Sequence, residues 1–210
     1  LLSLKKSEQL VLDLQNYLKE RGVSVKPAKI ESQPGKPVDS AGGPVLSGSV
    51  QNMSFSSSFS AGAETLLQTL QRMPLGAPHN GPLTSRFGNR ANPFTGSGAE
   101  DHSGLDFKGN TGEAIRVTAN GKVAFAGVQG GYGNVVRVTH GHGFETVYAH
   151  LSRIDVKAGE SLQAGHVVGL LGSTGRSTGP HLHYEVVRNG ERLDPENYLN
   201  LDVSLLRAAN

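Results

Sequence analysis

From about Pro78 onward the chain is a series of short segments rich in β-branched or aromatic residues: GKVAFAGV, NVVRVTHG, FETVYAHL, HVVGLLG and PHLHYEVV. Glycine-bearing turns separate them at intervals of roughly ten residues, the pattern of an all-β sandwich or barrel. No amphipathic helix intervenes, which argues against a doubly wound α/β sheet. The 28 glycines and the absence of tryptophan fit many turns and short strands better than a helical bundle. The expected fold is mainly β, a compact antiparallel sandwich or barrel-like domain over residues 77–200.

The residues ahead of it follow different rules. Residues 1–24 read as a helical, coiled-coil-like segment: Leu4, Val11 and Leu18 recur every seven residues, Leu14 falls between them, and Gly22 is the expected stop. Three heptads fit either the end of a longer coiled coil or one amphipathic helix. Residues 25–60 are rich in Pro, Gly and Ser and read as a linker, with Phe55 and Phe59 as its apolar pair. A short helix is expected over 61–76, stopping near Pro74. Residues 201–210 form a C-terminal tail.

Several function classes drop out on composition. With no cysteine there is no disulfide scaffold, thiol nucleophile or thiolate metal ligand. The balance of 20 basic against 18 acidic residues gives no electrostatic footprint for nucleic acid. No run of about eighteen apolar residues suits a membrane span. The chain begins at Leu1 rather than Met, so a signal or anchor segment upstream is expected.

Seven of the eight histidines lie from residue 102 onward. In STGPHLHYEV, His181 and His183 are two apart, so in a strand both project from one face while Leu182 and Tyr184 face the other. Two imidazoles roughly 7 Å apart along the backbone can converge on one ion, or one can bind it while the other holds a proton. In EDHSGLDFKG, His102 and Asp106 are four apart, with Gly104 letting the chain bend between them. Imidazole and carboxylate are both zinc ligands; with one histidine of the 181/183 pair they make three, leaving a fourth position for water as in catalytic sites. His150, in TVYAHLS, is expected to share a strand face with Tyr148 and Thr146 and to orient that water or steady an oxyanion. Taken singly, each of these motifs also occurs on ordinary structural residues. The constellation within one Gly-rich β domain carries the reading.

The ordered set HSGLD, YAHLS and STGPHLHYEV, with LTSRFG upstream, resembles the M23 family of zinc metallopeptidases, the LytM or lysostaphin-like endopeptidases, over roughly residues 78–200. The resemblance implies one Zn2+ per chain held by His102, Asp106 and His183, with His150 and His181 as catalytic histidines. It implies a peptidase domain over 77–200 that hydrolyses peptide cross-links or stem peptides of bacterial peptidoglycan by attack of a metal-bound water. The implied location is the cell envelope, in a Gram-negative periplasm, with a membrane tether or a protein partner engaged through residues 1–21. Some relatives are non-enzymatic LytM-like modules that regulate other cell-wall hydrolases. They usually lack ligand positions, whereas all five positions stand here. The family's tyrosine shortly before the first ligand histidine has no counterpart in PFTGSGAED. No H-E-x-x-H occurs, which excludes a helical zincin site.

GSTGRSTG (172–179) lacks the spacing and lysine of a P-loop and is expected to form a tight turn that admits substrate backbone. His140 and His142 are expected to line the groove or sit in a solvated loop. His79 and His166 stand alone and read as ordinary structural residues. Arg86 and Arg90 are candidates for acidic peptide stems or for structural ion pairs. The linker, through residues 51–60, is expected to lie across the groove and hold the enzyme latent.

Overall fold

The computed structural model describes residues 2–21, 23, 25, 62–96 and 98–199. Gly22, residues 26–60 of the linker with Phe55 and Phe59, and the 201–210 tail lie outside the described residues, so the expected latency of the linker does too. Packing divides the chain into two units, Leu1–Thr69 with Ser204–Asn210, and Leu70–Val203.

In the first unit, helix α1 runs over Leu2–Glu20. Its heptad stripe is partly legible in burial: Val11 and Leu14 are half-buried and Leu18 is fully buried, while Leu12 is exposed. The N–H groups of Arg21 and Val23 both donate to the Leu18 carbonyl and close the last turn. Helix α2 covers residues 62–71. Pro74 follows it closely and has no N–H with which to extend it.

The second unit is antiparallel β throughout. Its strands are β1 (Leu83–Ser85), β2 (Gly88–Ala91), β3 (Ala99–His102), β4 (Leu105–Lys108), β5 (Ala114–Arg116), β6 (Gly121–Gln129), β7 (Gly133–Thr139), β8 (Phe144–Leu151), β9 (Arg153–Ile154), β10 (Ser161–Leu162), β11 (Val167–Leu170), β12 (His181–Arg188) and β13 (Glu191–Leu193), followed by the short helix α3 (Glu196–Leu199). The main sheet has the order β1-β4-β12-β8-β7-β6-β10, with β13 paired to the far end of β12 where β4 does not reach. A second sheet, β5-β11-β9, and the β2-β3 hairpin complete the domain.

Alternation sorts the main sheet into two faces. Leu182, Tyr184 and Val186 of β12 share one with Leu105, Phe107, Tyr148 and Val136, and all are buried. Thr118, just after β5, hydrogen-bonds the hydroxyls of both Tyr148 and Tyr184, so the second sheet covers this face. Each of these seven side chains contributes roughly 1.5–3 kcal/mol by its burial. The other face of β12 carries His181, His183 and Glu185.

Candidate active site

The β4–β12 register places His183 directly opposite Asp106, and His181 opposite Lys108, so these four side chains leave the sheet on one side. His102 ends β3 and reaches the same place through the Ser103–Gly104 turn. The turn lies so close to β12 that a Cβ on Gly104 would sit 2.3 Å from the Tyr184 carbonyl oxygen. Gly104 is therefore needed for close approach rather than for a special bend.

Three ligand atoms converge. His102 Nε2 lies 3.1 Å from Asp106 Oδ1 and 3.1 Å from His183 Nδ1, and His183 Nδ1 lies 2.9 Å from the same Oδ1. Bonds of about 2.0–2.1 Å in a tetrahedron would put zinc ligands about 3.3 Å apart, within a few tenths of an ångström of this triangle. His102, Asp106 and His183 are the group among the described residues that is able to hold a metal ion, and all three are buried.

The far side of each imidazole decides which nitrogen is bare. His102 Nδ1 faces the Arg86 carbonyl at 2.7 Å, an acceptor that requires an N–H, so Nε2 is left without a proton. His183 Nε2 faces the Glu185 carboxylate at 3.0 Å and must donate, which leaves Nδ1 bare in the neutral ring. Two bare nitrogens and a carboxylate oxygen at one point form a donor set suited to a divalent cation.

Asp106 is held from behind. Its second oxygen, Oδ2, accepts a hydrogen bond from Arg90 Nη1 at 2.8 Å, and Arg90 also donates to Ser85 Oγ. Arg90 thus belongs to the site as a partner of Asp106. Arg86 instead pairs with Glu196 of α3.

His181 and His150 stand beside this triangle, their ring centroids 4.7 Å apart. Each is anchored through Nδ1 on a backbone carbonyl at 2.8 Å: His181 on Gly179, His150 on Thr174. Their Nε2 atoms are therefore free of protons in the neutral form, and that of His181 lies 3.8 Å from Asp106 Oδ1. Burial lowers the His150 imidazole to about 4, so it is neutral at pH 7 and able to accept a proton.

The expectation that His150 shares a face with Tyr148 and Thr146 is overturned. Asn134 and Val136 of β7 pair with Leu151 and Tyr148 of β8, so β8 carries an extra residue in a bulge. His150 takes up this residue in the left-handed region at φ 61°, which turns its ring to the His181 side. Tyr148 and Thr146 stay in the core.

Loop 172–179 is what holds the bulge. Thr174 Oγ1 donates to the Leu151 carbonyl at 2.8 Å and accepts from the Asn134 N–H at 3.0 Å. Gly175, at φ 73°, lies so close to β7 that a Cβ would sit 2.3 Å from the Gly133 nitrogen. The glycines here serve packing of the loop on β7 and β8, and the loop's carbonyls orient both free histidines. A groove of about 670 Å3 runs past these atoms, lined also by Phe94, Lys108, Tyr132 and Arg176. Arg176 stacks over Phe94 at 4.3 Å and pairs with Glu100, tying loop 172–179 to the β2–β3 hairpin.

His140 departs from expectation. It lies away from the groove, hydrogen-bonded to the Asn120 carbonyl and to Thr146, at the end of a chain that continues through Tyr148 and Thr118 to Tyr184. The reason is β8 alternation, which puts Thr146 on the core face. His142 is exposed in its turn, as a solvated loop residue is. His79 has structural partners in Glu113 and the Gly81 N–H, and His166 is exposed.

Sequence reasoning passed over Glu185, Ser103 and Tyr132, which form a network behind His183. The signal for Glu185 was present: it is two residues beyond His183 and hence on the same face. Burial would raise the Glu185 carboxyl, but hydrogen bonds from His183 and Ser103 bring it down to about 2.

Comparisons with known proteins bear on the family of the chain. The model of peptidase family M23 matches residues 100–195. The chain is 44% identical over 113 residues to the DD-carboxypeptidase/endopeptidase Mpg of Neisseria meningitidis, covering 54% of this chain and 26% of that protein. It is 34% identical over 143 residues to the peptidoglycan DD-endopeptidase ShyA of Vibrio cholerae, covering 68% of this chain and 32% of that one. The chain thus spans about a quarter to a third of the length of these curated relatives. Among solved structures, the catalytic domain of the antimicrobial peptidase lysostaphin from Staphylococcus simulans superposes with a TM-score of 0.52 at 32% identity, covering 57% of this chain and 92% of that domain. On sequence, fold and the grouping of the motif residues, this chain belongs to peptidase family M23.

Proposed function

We propose that the protein is a zinc-dependent endopeptidase that hydrolyses peptide cross-links or stem peptides of bacterial peptidoglycan, with residues 77–200 as its peptidase domain. The observation that carries this reading is the triangle of His102 Nε2, Asp106 Oδ1 and His183 Nδ1, with both imidazole nitrogens bared by the acceptors behind them. The donor set of two imidazoles and one carboxylate suits Zn2+ with a position left open. When bound, zinc supplies Lewis-acid polarisation of the scissile carbonyl and makes water a nucleophile near neutral pH.

The chain's own residues do the rest. His181 and His150, anchored through Nδ1, present their Nε2 atoms to the groove. One accepts the proton of the attacking water at Nε2 and passes it to the leaving amine, while the Nε2 of the other accepts a hydrogen bond from that water and orients it. The backbone carbonyls of Thr174 and Gly179 hold both rings in place, so little reorganisation accompanies the reaction. A peptide strand laid along the groove would meet Phe94, Arg176 and Lys108, which line it.

Support for the substrate comes from the peptidoglycan DD-endopeptidase among the relatives. By that substrate we place the protein in the cell envelope, and we propose a Gram-negative periplasm with α1 as the segment that meets a tether or partner. No described helix is long and apolar enough to cross a membrane. Incubating purified sacculi with the zinc-loaded protein tests the proposal, with His183→Ala as control and mass spectrometry of the released muropeptides. Cross-linked dimers should fall to monomers with the intact site alone. No change with either protein, zinc being bound to the first, would point to a regulatory module in place of an enzyme.

A further inference from the structure

Of the four imidazoles gathered in the site, three are anchored on backbone carbonyls. His102 uses that of Arg86, His150 that of Thr174 and His181 that of Gly179. His183 alone is anchored on a carboxylate, Glu185. That carboxylate is 1% exposed, yet it sits on a sheet face beside a groove, where an apolar residue would fill the space without desolvating a charge.

Three donors converge on one of its oxygens. Glu185 Oε1 accepts from Ser103 Oγ at 2.5 Å, Tyr132 OH at 2.8 Å and His183 Nε2 at 3.0 Å. They come from the β3–β4 turn, the β6–β7 turn and β12 itself. Arg192 of β13 meets Oε2 at 3.4 Å and touches Tyr132 OH at 3.3 Å, with its side chain half exposed. An ion pair with Arg192 therefore does not account for the group: the short bonds run toward His183 and its neighbours.

We propose that Glu185 is a positioning residue of the metal centre, whose carboxylate, caged by Ser103 and Tyr132, fixes His183 with Nε2 protonated and Nδ1 bare and makes that imidazole a stronger donor than its carbonyl-anchored neighbours. A carboxylate behind a ligand imidazole pulls on the distal N–H and raises the basicity of the ligating nitrogen. Being anionic, Glu185 also adds to the charge that favours a divalent cation in a site whose ligand carboxylate, Asp106, is shared with Arg90. The inference rests on the metal-centre reading above.

The test compares the full chain with Glu185→Gln, which keeps shape and acceptor oxygen but removes the charge. Zinc affinity is read by competition with a chromophoric chelator, ligand geometry by the visible absorption of the cobalt-loaded protein, and folding by the unfolding midpoint of the metal-free protein. The expected result is zinc binding weakened about 10–100-fold with a shifted cobalt spectrum and a metal-free midpoint that is unchanged or raised. Equal zinc affinity in the two proteins would overturn the inference, as would weaker binding with an unchanged cobalt spectrum and a lowered midpoint, the mark of a structural role. Should Glu185→Gln fail to fold, Tyr132→Phe replaces it, removing one donor and leaving the carboxylate. A several-fold loss of affinity then supports the inference and no loss overturns it. If the unsubstituted chain takes up no zinc, the metal-centre reading itself fails and this inference with it; normal uptake with an unaffected variant sinks the inference alone.

Discussion

Single residues here are set by what lies behind them. Each imidazole of the site has one nitrogen committed to an acceptor and the other presented to a shared point, so the choice of acceptor selects the tautomer. His140 uses the same logic away from the groove, as a core residue. Its Nδ1 donates to the Asn120 carbonyl and its Nε2 meets Thr146, and burial lowers its pKa below the ordinary imidazole value. The unfolded chain therefore takes up a proton on His140 near pH 6.5 while the folded chain resists it. Stability that is present above that pH is lost as pH falls from about 6.5 toward the lower folded value, because the unfolded state binds more protons there. The metal-free unfolding midpoint should thus fall less steeply between pH 7.5 and 5.5 in His140→Gln than in the unsubstituted chain. Parallel slopes for the two proteins would count against a buried neutral imidazole. The sequence suggests a groove or loop position for His140; only the pairing of β8 shows that Thr146 points into the core.

At the scale of strands, alternation makes one half of the site legible and hides the other. On β12 the period of two is unbroken, so the shared face of His181 and His183 follows directly from the sequence, and Glu185 extends it. On β8 the same rule fails at His150, because the bulge inserts a residue that no local pattern announces. The cause lies 24 residues from His150 in Thr174, whose hydroxyl bridges the Leu151 carbonyl and the Asn134 N–H. Thr174→Val keeps the side-chain shape and removes the bridge. The Leu151 carbonyl retains Asn134 Nδ2, but the Asn134 N–H is orphaned, at a cost of about 1–3 kcal/mol. Because the Thr174 carbonyl anchors His150, kcat on a peptide substrate should fall about tenfold or more while zinc affinity stays as it was. Loss of zinc together with activity would show that loop 172–179 supports the ligands rather than His150.

For the whole molecule, the β grammar after Pro78 carried the mainly β, antiparallel fold, since turn glycines and β-branched runs are local signals. What it did not carry is the arrangement of strands, which depends on pairing between segments far apart, such as β4 with β12. That arrangement also determines how metal and fold are linked. His102 and His183 are 81 residues apart in sequence and belong to strands that meet through the sheet, so the unfolded chain has no site for the ion. Binding to the folded form alone stabilises it by about 2.7 kcal/mol when free zinc is a hundred times its dissociation constant. In a domain of this size that corresponds to a rise of roughly 10 °C in the unfolding midpoint. The rise should vanish in His183→Ala and on addition of chelator, yet persist in Thr174→Val, which touches no ligand. A zinc-dependent rise that survives His183→Ala would place the bound ion elsewhere on the protein. A rise lost in both variants would mean instead that the bulge and the metal triangle fold as one unit, with loop 172–179 as part of the centre's scaffold.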